Sequence, residues 1–489
     1  MIKKNLAAIR LFQNLKDKLS NHDILSVFPH AMNYFNTDMA LGVLAIISMS
    51  IFTRLLTKDD YGLLAMYISW IEVGTILLSL NLHAAVSRYY YEKTKDFGEF
   101  IGATLIIISL MTTIMIIVSI LSYKHLIGWL ELPGKLLPYL ILSCIASIMI
   151  TIYNQIIIPQ KKSKEFAILK FSRGIATFGV SVVLVYLLSE DRYMGNILGS
   201  LFVSIGVTIY VILKIRTFTV LSLNLEHIKY ILTYSLPLIP YALSSIILAQ
   251  FDRIMIGKII NTAAVGIYSV GYTIGSLIIV FYSALDMASR PDFFKFMNRK
   301  EYKRWDVLNE QIFSITCICA LGLILFSKEI IILLVAKEFH EAASVVPIVV
   351  IGYLFFATAT AYGKYIGYEK KTIFNSANIL VAGIVNVVLN AIFIPKYGYM
   401  AAAYTTAAGY FTWFLLCWIT SKFILRQNIT PLILIWRPII YLFIFFGGFY
   451  LIQHVLENSS ILFFIKITLM ILFFCVLFRR NIKNSTLKS

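Results

Sequence analysis

Several charged residues stand inside long apolar runs of this chain or close their ends: Glu72, Arg88, Arg173, Asp252, Arg253, Asp286 and Arg290. A charge near the centre of a bilayer is costly unless it faces a watery cavity or an opposite charge, so each marks a functional position or one half of a structural ion pair. Glu72 lies near the middle of its run and Arg173 about two turns into another, which suits a polar cavity between helices. Asp252 and Arg253 are neighbours, hence about 100° apart on a helix; the expectation is that one lines the cavity while the other reaches outward. Arg88 and Arg290 close two runs at matching places. Guanidinium groups there suit a phosphate, the alternative being ordinary topogenic charge. Arg88, Arg173, Asp252, Arg253 and Arg290 are thus the candidate substrate-binding set, and the carboxylates of Glu72 and Asp286 the candidates for coupling to an ion gradient.

Uncharged polar residues in the runs read differently. Asn375, Asn378, Asn386 and Asn390, with Asn154 and Gln155, either hold sugar hydroxyls or join helices, and joining helices is the commoner use. Gly271 and Gly275 have the small-xxx-small spacing of close helix packing. Pro237 and Pro240 remove helix hydrogen bonds and predict a bend that lets one part of the molecule flex against another. No GxxxxGK[ST], HExxH or G-x-S-x-G string occurs, the seven histidines are scattered, and the five cysteines lie inside apolar runs. Enzymatic chemistry has no visible home, and no resident cofactor or metal is expected.

The elements that must carry these residues follow from composition. Of 489 residues, 59% are hydrophobic and 14% charged, against roughly a quarter charged in a soluble domain. A water-soluble fold is excluded, and the apolar material suffices for about fourteen membrane-spanning helices of about 20 residues. The expected class is an all-α polytopic membrane protein. Fourteen spans put both termini on one side. Of the 43 Lys and Arg, 31 then fall on that side and 11 on the other, with Arg173 inside a span. This alternation marks the terminal side as cytoplasmic. It also accounts for the net charge of +18 without nucleic acid as a partner.

Internal similarity gives the architecture. Arg54-Leu55-Leu56 followed by Gly62 matches Lys258-Ile259-Ile260 followed by Gly266, at an offset of 204 residues. Val86-Ser87-Arg88 echoes Ala288-Ser289-Arg290 at 202, and Gln160-Lys161-Lys162 echoes Glu369-Lys370-Lys371 at 209. Three matches in register at nearly one offset imply two six-span lobes of the same orientation, a parallel repeat. The expected organisation is an amphipathic cytoplasmic N-tail (1–32), an N-lobe of spans one to six (33–216), a cytoplasmic link (217–234) and a C-lobe of spans seven to twelve (235–425). Two appended spans (426–478) and a basic cytoplasmic tail (479–489) complete it. The basic stretch Pro291 to Asn309 is expected to be one of the longest cytoplasmic connections, and every outward loop is short.

The string Thr53-Arg-Leu-Leu-Thr-Lys-Asp-Asp-Tyr-Gly62, the Ala85-Val-Ser-Arg-Tyr89 that ends the second span, and the segment from Asp252 to Ser269 resemble the polysaccharide transporter family. That family includes the Wzx-type flippases within the multidrug, oligosaccharidyl-lipid and polysaccharide exporter superfamily. The resemblance runs from about residue 35 to 425. It implies a V-shaped pair of six-helix lobes around a cationic cavity in a bacterial cytoplasmic (inner) membrane. Through this cavity an undecaprenyl-diphosphate-linked oligosaccharide of O-antigen, capsule or exopolysaccharide synthesis passes from the cytoplasmic to the periplasmic leaflet. It further implies coupling to an H+ or Na+ gradient, and a polysaccharide polymerase and chain-length regulator as partners. Asp252 and Arg253 fall on the family's span-seven motif; Arg54, Gly62 and Arg88 fall on its first-lobe motifs. The lipid II flippases and multidrug exporters of the same superfamily are the rival readings. From another class, a membrane glycosyltransferase or O-antigen polymerase would draw on Asp59 and Asp60, but such enzymes need a roomy outward loop and none is present.

Overall fold

The computed structural model describes residues 24–92, 95–456 and 459–486, and among them every regular element is helical. The first half comprises α1 (Ile24–Leu55), α2 (Lys58–Ser79), α3 (His83–Glu92), α4 (Phe97–Leu121), α5 (Tyr123–Leu130), α6 (Leu137–Ile157), α7 (Ser163–Leu187) and α8 (Tyr193–Ile215). Next come α9 (Leu225–Ser235), α10 (Ile239–Ile246), α11 (Asp252–Ile259), α12 (Thr262–Asn298), α13 (Tyr302–Leu325) and α14 (Ser327–Leu334). The chain ends with α15 (Val345–Tyr368), α16 (Thr372–Tyr397), α17 (Tyr399–Ile419), α18 (Leu432–Val455) and α19 (Ser459–Thr486).

Thirteen segments are long and apolar enough to cross a membrane. The fourteenth crossing expected from the sequence is α17, whose 21 residues reach about 32 Å but are rich in Ala, Thr and Gly. Its small residues, Ala401, Ala402, Ala403, Thr405, Thr406, Ala407 and Gly409, are buried where it packs on α15 and α16. Protein surrounds it where lipid surrounds most of the others, so its surface has no need of bulky apolar side chains.

Burial divides the bundle into two large apolar cores. One gathers Met66, Tyr67, Ala85, Phe100, Ile152, Val185 and Val211 from the first half of the chain and extends across to Tyr268, Tyr272 and Val345 of the second, and the other gathers Val270, Phe313, Leu354, Tyr362, Phe414 and Phe473 from the second half with Met49 of the first. Contact between the halves runs mainly through α12, which packs on α1 and α2 as well as on α13 and α15. Gly271 and Gly275 lie against Val345 and Val349, where an added Cβ would sit 2.7 Å from valine carbons, so their spacing serves helix packing. Asn386 and Asn390 bond to Thr406 and Thr405 between α16 and α17, and Asn378 bonds to Thr420 in the π-helical turn that follows α17, again joining helices. All five cysteines are free thiols; Cys475 is exposed, whereas Cys144, Cys317 and Cys417 are buried.

Three boundaries differ from the sequence expectation. Helix α1 begins at Ile24 rather than near 33, and the rest of the expected amphipathic N-tail lies outside the described residues. The stretch Pro291 to Asn309 is not a long loop: α12 continues through Pro291 to Asn298, and α13 starts at Tyr302. At 37 residues α12 is about 55 Å long, more than a bilayer's thickness, so its basic end projects beyond the membrane. Helix α19 runs on to Thr486, past the expected tail boundary at 479. The link 217–234 is ordered. Its extended part lies on α4, where Gly98 and Gly102 leave room for the carbonyls of Phe218 and Val220, and the Val220 amide donates to the Gly98 carbonyl at 3.2 Å.

Candidate functional site

A cavity of about 600 Å3 lies between the halves. Ser48 and Phe52 of α1, Tyr61 of α2, and Lys170, Arg173 and Thr177 of α7 line it from the first half. Gln250, Arg253, Ser269 and Thr273 line it from the second. Arg173 and Arg253, the two deep cations singled out from the sequence, therefore line one space, one from each half of the chain.

Their surroundings differ. Arg173 makes no hydrogen bond or ion pair among the described residues, so its guanidinium is available to a ligand. Arg253 is held firmly: its Nη1 donates to the Ala249 carbonyl at 2.8 Å, its guanidinium lies 4.5 Å from the centroid of the Tyr272 ring, and Asp252 is within 3.4 Å. The Tyr353 hydroxyl donates to that of Tyr272 at 3.0 Å, which fixes the ring beneath the cation. Lys170, at the cavity's rim, pairs with Asp38 at 2.6 Å.

Asp252 corrects the expectation that it or its neighbour reaches outward. It is 1% exposed, takes hydrogen bonds from the Tyr268 hydroxyl and the Arg253 amide, and points into the second half of the molecule, away from the cavity. The neighbours point in different directions and still pair because the long Arg253 side chain reaches back to the Asp252 carboxylate; a π-helical turn, Ile247–Phe251, directly precedes both and sets how they are rotated in the bundle. Pro237 lies in a single 3-10 turn and Pro240 in the first turn of α10, so this span is assembled from several short pieces and not one rod.

Glu72 sits at the junction of the halves, where its carboxylate accepts a 3.4 Å hydrogen bond from Gln250 of the π turn. Asp286 lies elsewhere, within the second half, 2.6 Å from Lys364 and 3.1 Å from Arg290, with the Tyr282 hydroxyl at 3.4 Å. Lys364 also stacks 5.1 Å from the Trp305 ring. Sequence reasoning passed over Lys364; a lysine within an apolar run is the signal that would have found it. Arg88 and Arg290 do not join the cavity. Each is more than half exposed and pairs with a carboxylate four residues away, Arg88 with Glu92 and Arg290 with Asp286. Glu92 holds the exposed Arg88 above its usual range, so this side chain stays charged.

The end of the cavity remote from Lys170 is closed by helix termini from both halves. Asp60 and Thr57 form a capping box on α2, and the Asn261 side chain accepts from the Ala264 amide at the start of α12. These two N-termini meet at the repeat-related glycines: a Cβ added to Gly62 would lie 1.8 Å from the Thr262 carbonyl oxygen, and one added to Gly266 would lie 2.2 Å from that of Lys58. Thr262 donates its hydroxyl to Asp59, and Arg54 donates to the Leu334 carbonyl at 2.9 Å. Asp59 and Asp60 are thus occupied in closing this end.

A family model described as polysaccharide biosynthesis protein matches residues 37–297, whereas the resemblance read from motifs was expected to extend to about 425. "Lsg locus putative protein 1" of Haemophilus influenzae is 23% identical over 359 residues, 70% of this chain and 86% of that protein. The "Probable low-salt glycan biosynthesis flippase" of Haloferax volcanii is 20% identical over 372 residues, 75% of this chain and 77% of that one. Among solved structures, the lipid II flippase MurJ in an inward closed conformation superposes with a TM-score of 0.70 at 15% identity, covering 92% of this chain and 99% of that one. An inward-facing multidrug resistance transporter of the MATE family and MOP superfamily gives 0.56 at 13% identity, covering 79% and 96%. With two halves around a shared cavity, the fold of these transporters, and a family match spanning more than half its length, the chain belongs to the polysaccharide biosynthesis protein family.

Proposed function

We propose that this protein is a flippase that moves undecaprenyl-diphosphate-linked oligosaccharide repeat units from the cytoplasmic to the periplasmic leaflet of a bacterial inner membrane by alternating access. The observation that carries the reading is the pair Arg173 and Arg253, presented to one cavity by the two halves of the chain. A diphosphate needs two or more cationic hydrogen-bond donors, and guanidinium groups supply them in a planar fork that phosphate oxygens match. Arg253 is preorganised by Tyr272 and Asp252, while Arg173 keeps its full donor set free. Ser48, Thr177, Asn196 and Gln250 add hydroxyl and amide groups suited to sugars.

In this reading the contact of Gly62 with Gly266 is the periplasmic seal, and the cytoplasmic side admits the substrate. Glu72 is the carboxylate placed to sense an ion, because it bonds across the junction to Gln250 beside Arg253. Asp286 is not used this way, since Lys364 and Arg290 already neutralise it. The membrane potential also contributes: two negative charges moving out of a negative interior release about 2.3 kcal/mol per charge per 100 mV if they cross the whole field.

The test is a leaflet assay in cells lacking the gene, with a membrane-impermeant probe on right-side-out and inverted vesicles. Complete repeat units held on the cytoplasmic face are expected. Restoring the gene clears them, whereas R173A and R253A, present in the membrane at normal amount, do not; R88A does, because Arg88 is outside the cavity. Unpolymerised units already on the periplasmic face would refute the reading in favour of a polymerase, and lipid II as the accumulating species would reassign the substrate.

A further inference from the structure

A second polar cavity, of about 380 Å3, opens on the flank of the second half between α13, α18 and α19, away from the central cavity. Its polar lining carries two cations, Lys303 and Arg437, and two carboxylates, Asp306 and Glu310. Arg437 donates to Glu310 at 3.0 Å, and both side chains are about a quarter exposed. Lys303 makes no hydrogen bond or ion pair among the described residues. The lining is therefore neutral overall and carries charges of both signs, with Arg437 and Glu310 paired and Lys303 without a partner among the described residues, which suits neither an anion nor a cation alone.

Its depth and rim narrow the ligand further. Lys303 is in the first turn of α13 and Arg437 in the second turn of α18, so the polar groups lie within about 12 Å of the helix starts, at headgroup level. Val307 and Val476, which line the same cavity, are 53% and 42% exposed and give it an apolar flank. A polar pocket at headgroup depth with an apolar flank takes a lipid. Charges of both signs call for a zwitterionic headgroup, and carboxylate acceptors favour one whose amine still has protons to donate.

We infer that this cavity binds a phosphoethanolamine phospholipid, with its ammonium on Glu310 and Asp306, its phosphate on Lys303 and Arg437, and its acyl chains along Val307 and Val476. The site is separate from the transported substrate and does not rest on the proposed function.

Native mass spectrometry of the delipidated full chain, titrated with phosphatidylethanolamine, phosphatidylcholine and phosphatidylglycerol of identical acyl chains, tests this. Wild type is expected to retain phosphatidylethanolamine about tenfold better than either other lipid, the selectivity of roughly one charge-assisted hydrogen bond. E310Q should remove that advantage over phosphatidylcholine and raise retention of phosphatidylglycerol, because the lining gains net positive charge. K303Q, at an exposed position that tolerates substitution, should lower retention of both phosphatidylethanolamine and phosphatidylglycerol, and it keeps the test decisive if E310Q cannot be purified. Equal retention of phosphatidylethanolamine and phosphatidylcholine by wild type overturns the assignment, as does a phosphatidylethanolamine preference over phosphatidylcholine unchanged in E310Q, or phosphatidylethanolamine retention unchanged in K303Q. Soluble phosphoethanolamine displacing the lipid at equimolar concentration would overturn the role of the acyl chains.

Discussion

Replacing Gly62 by alanine adds one carbon at the tightest contact between the halves, and its effect can be worked from the geometry. The new Cβ would stand 1.8 Å from the Thr262 carbonyl oxygen and 2.9 Å from the Gly266 nitrogen, both backbone atoms that no rotamer change can remove. Ordinary contact begins near 3.4 Å, so α2 and α12 must part by roughly 1.5 Å at their N-termini. Overpacking of this kind costs about 1–3 kcal/mol. Only the arrangement with these termini together bears that cost, so a penalty of about 2 kcal/mol shifts the ratio of open to closed forms about thirtyfold. Thr273 lines the cavity beneath the seal and supplies a reporter. In a Thr273→Cys protein with the exposed Cys475 replaced by serine, a membrane-impermeant maleimide applied from the periplasmic side should label G62A up to thirtyfold faster than its parent. G206A is the control, because a Cβ there meets nothing within 4 Å. Equal labelling of G62A and parent at equal protein in the membrane would refute the view that the glycine contact closes the cavity.

Two further outcomes follow from charges outside the cavity. Lys364 and Asp286 form a mostly buried pair, with side chains 13% and 8% exposed, so K364M should lower stability by about 3 kcal/mol by leaving the carboxylate to Arg290 alone. The double variant D286N/K364M should recover much of that loss in a thermal melt, and additive losses would show that the pair is not the relevant interaction. In the loop after α7, the hydrogen bond from Lys135 holds the Asp191 carboxyl below its usual range. A depressed carboxyl stabilises the fold above its unfolded pKa and loses that contribution as pH falls through the folded value, so the tie persists at pH 5. Because the pair is exposed, D191N should leave the melting temperature at pH 7 unchanged within error, and a drop of several degrees would contradict this.

Polytopic topology, the near doubling of the chain and the two deep arginines are consequences of composition and spacing alone. Lipid imposes apolar runs of fixed length and biases lysine and arginine to one side, and both signals are written locally in the chain. The offset of 204 residues relating Gly62 to Gly266 could likewise be read directly, since a repeat leaves the same residues at the same register. What that register does not contain is that the two glycines touch: contact across a repeat axis is a property of how the halves dock. The same holds for the charged residues. Their types marked them as costly in lipid, but whether each meets the cavity or a counter-charge depends on helix rotation and on partners far along the chain. Lys364, 78 residues from Asp286, is such a partner. The π turn before Asp252 is the sharpest case. One extra residue in a turn changes which neighbour faces the cavity, and tertiary packing against Tyr268 and Tyr272 decided in favour of Arg253. Helix α17 shows the converse, a span that hydropathy understates because its neighbours are helices, and only the packed bundle reveals what surrounds it.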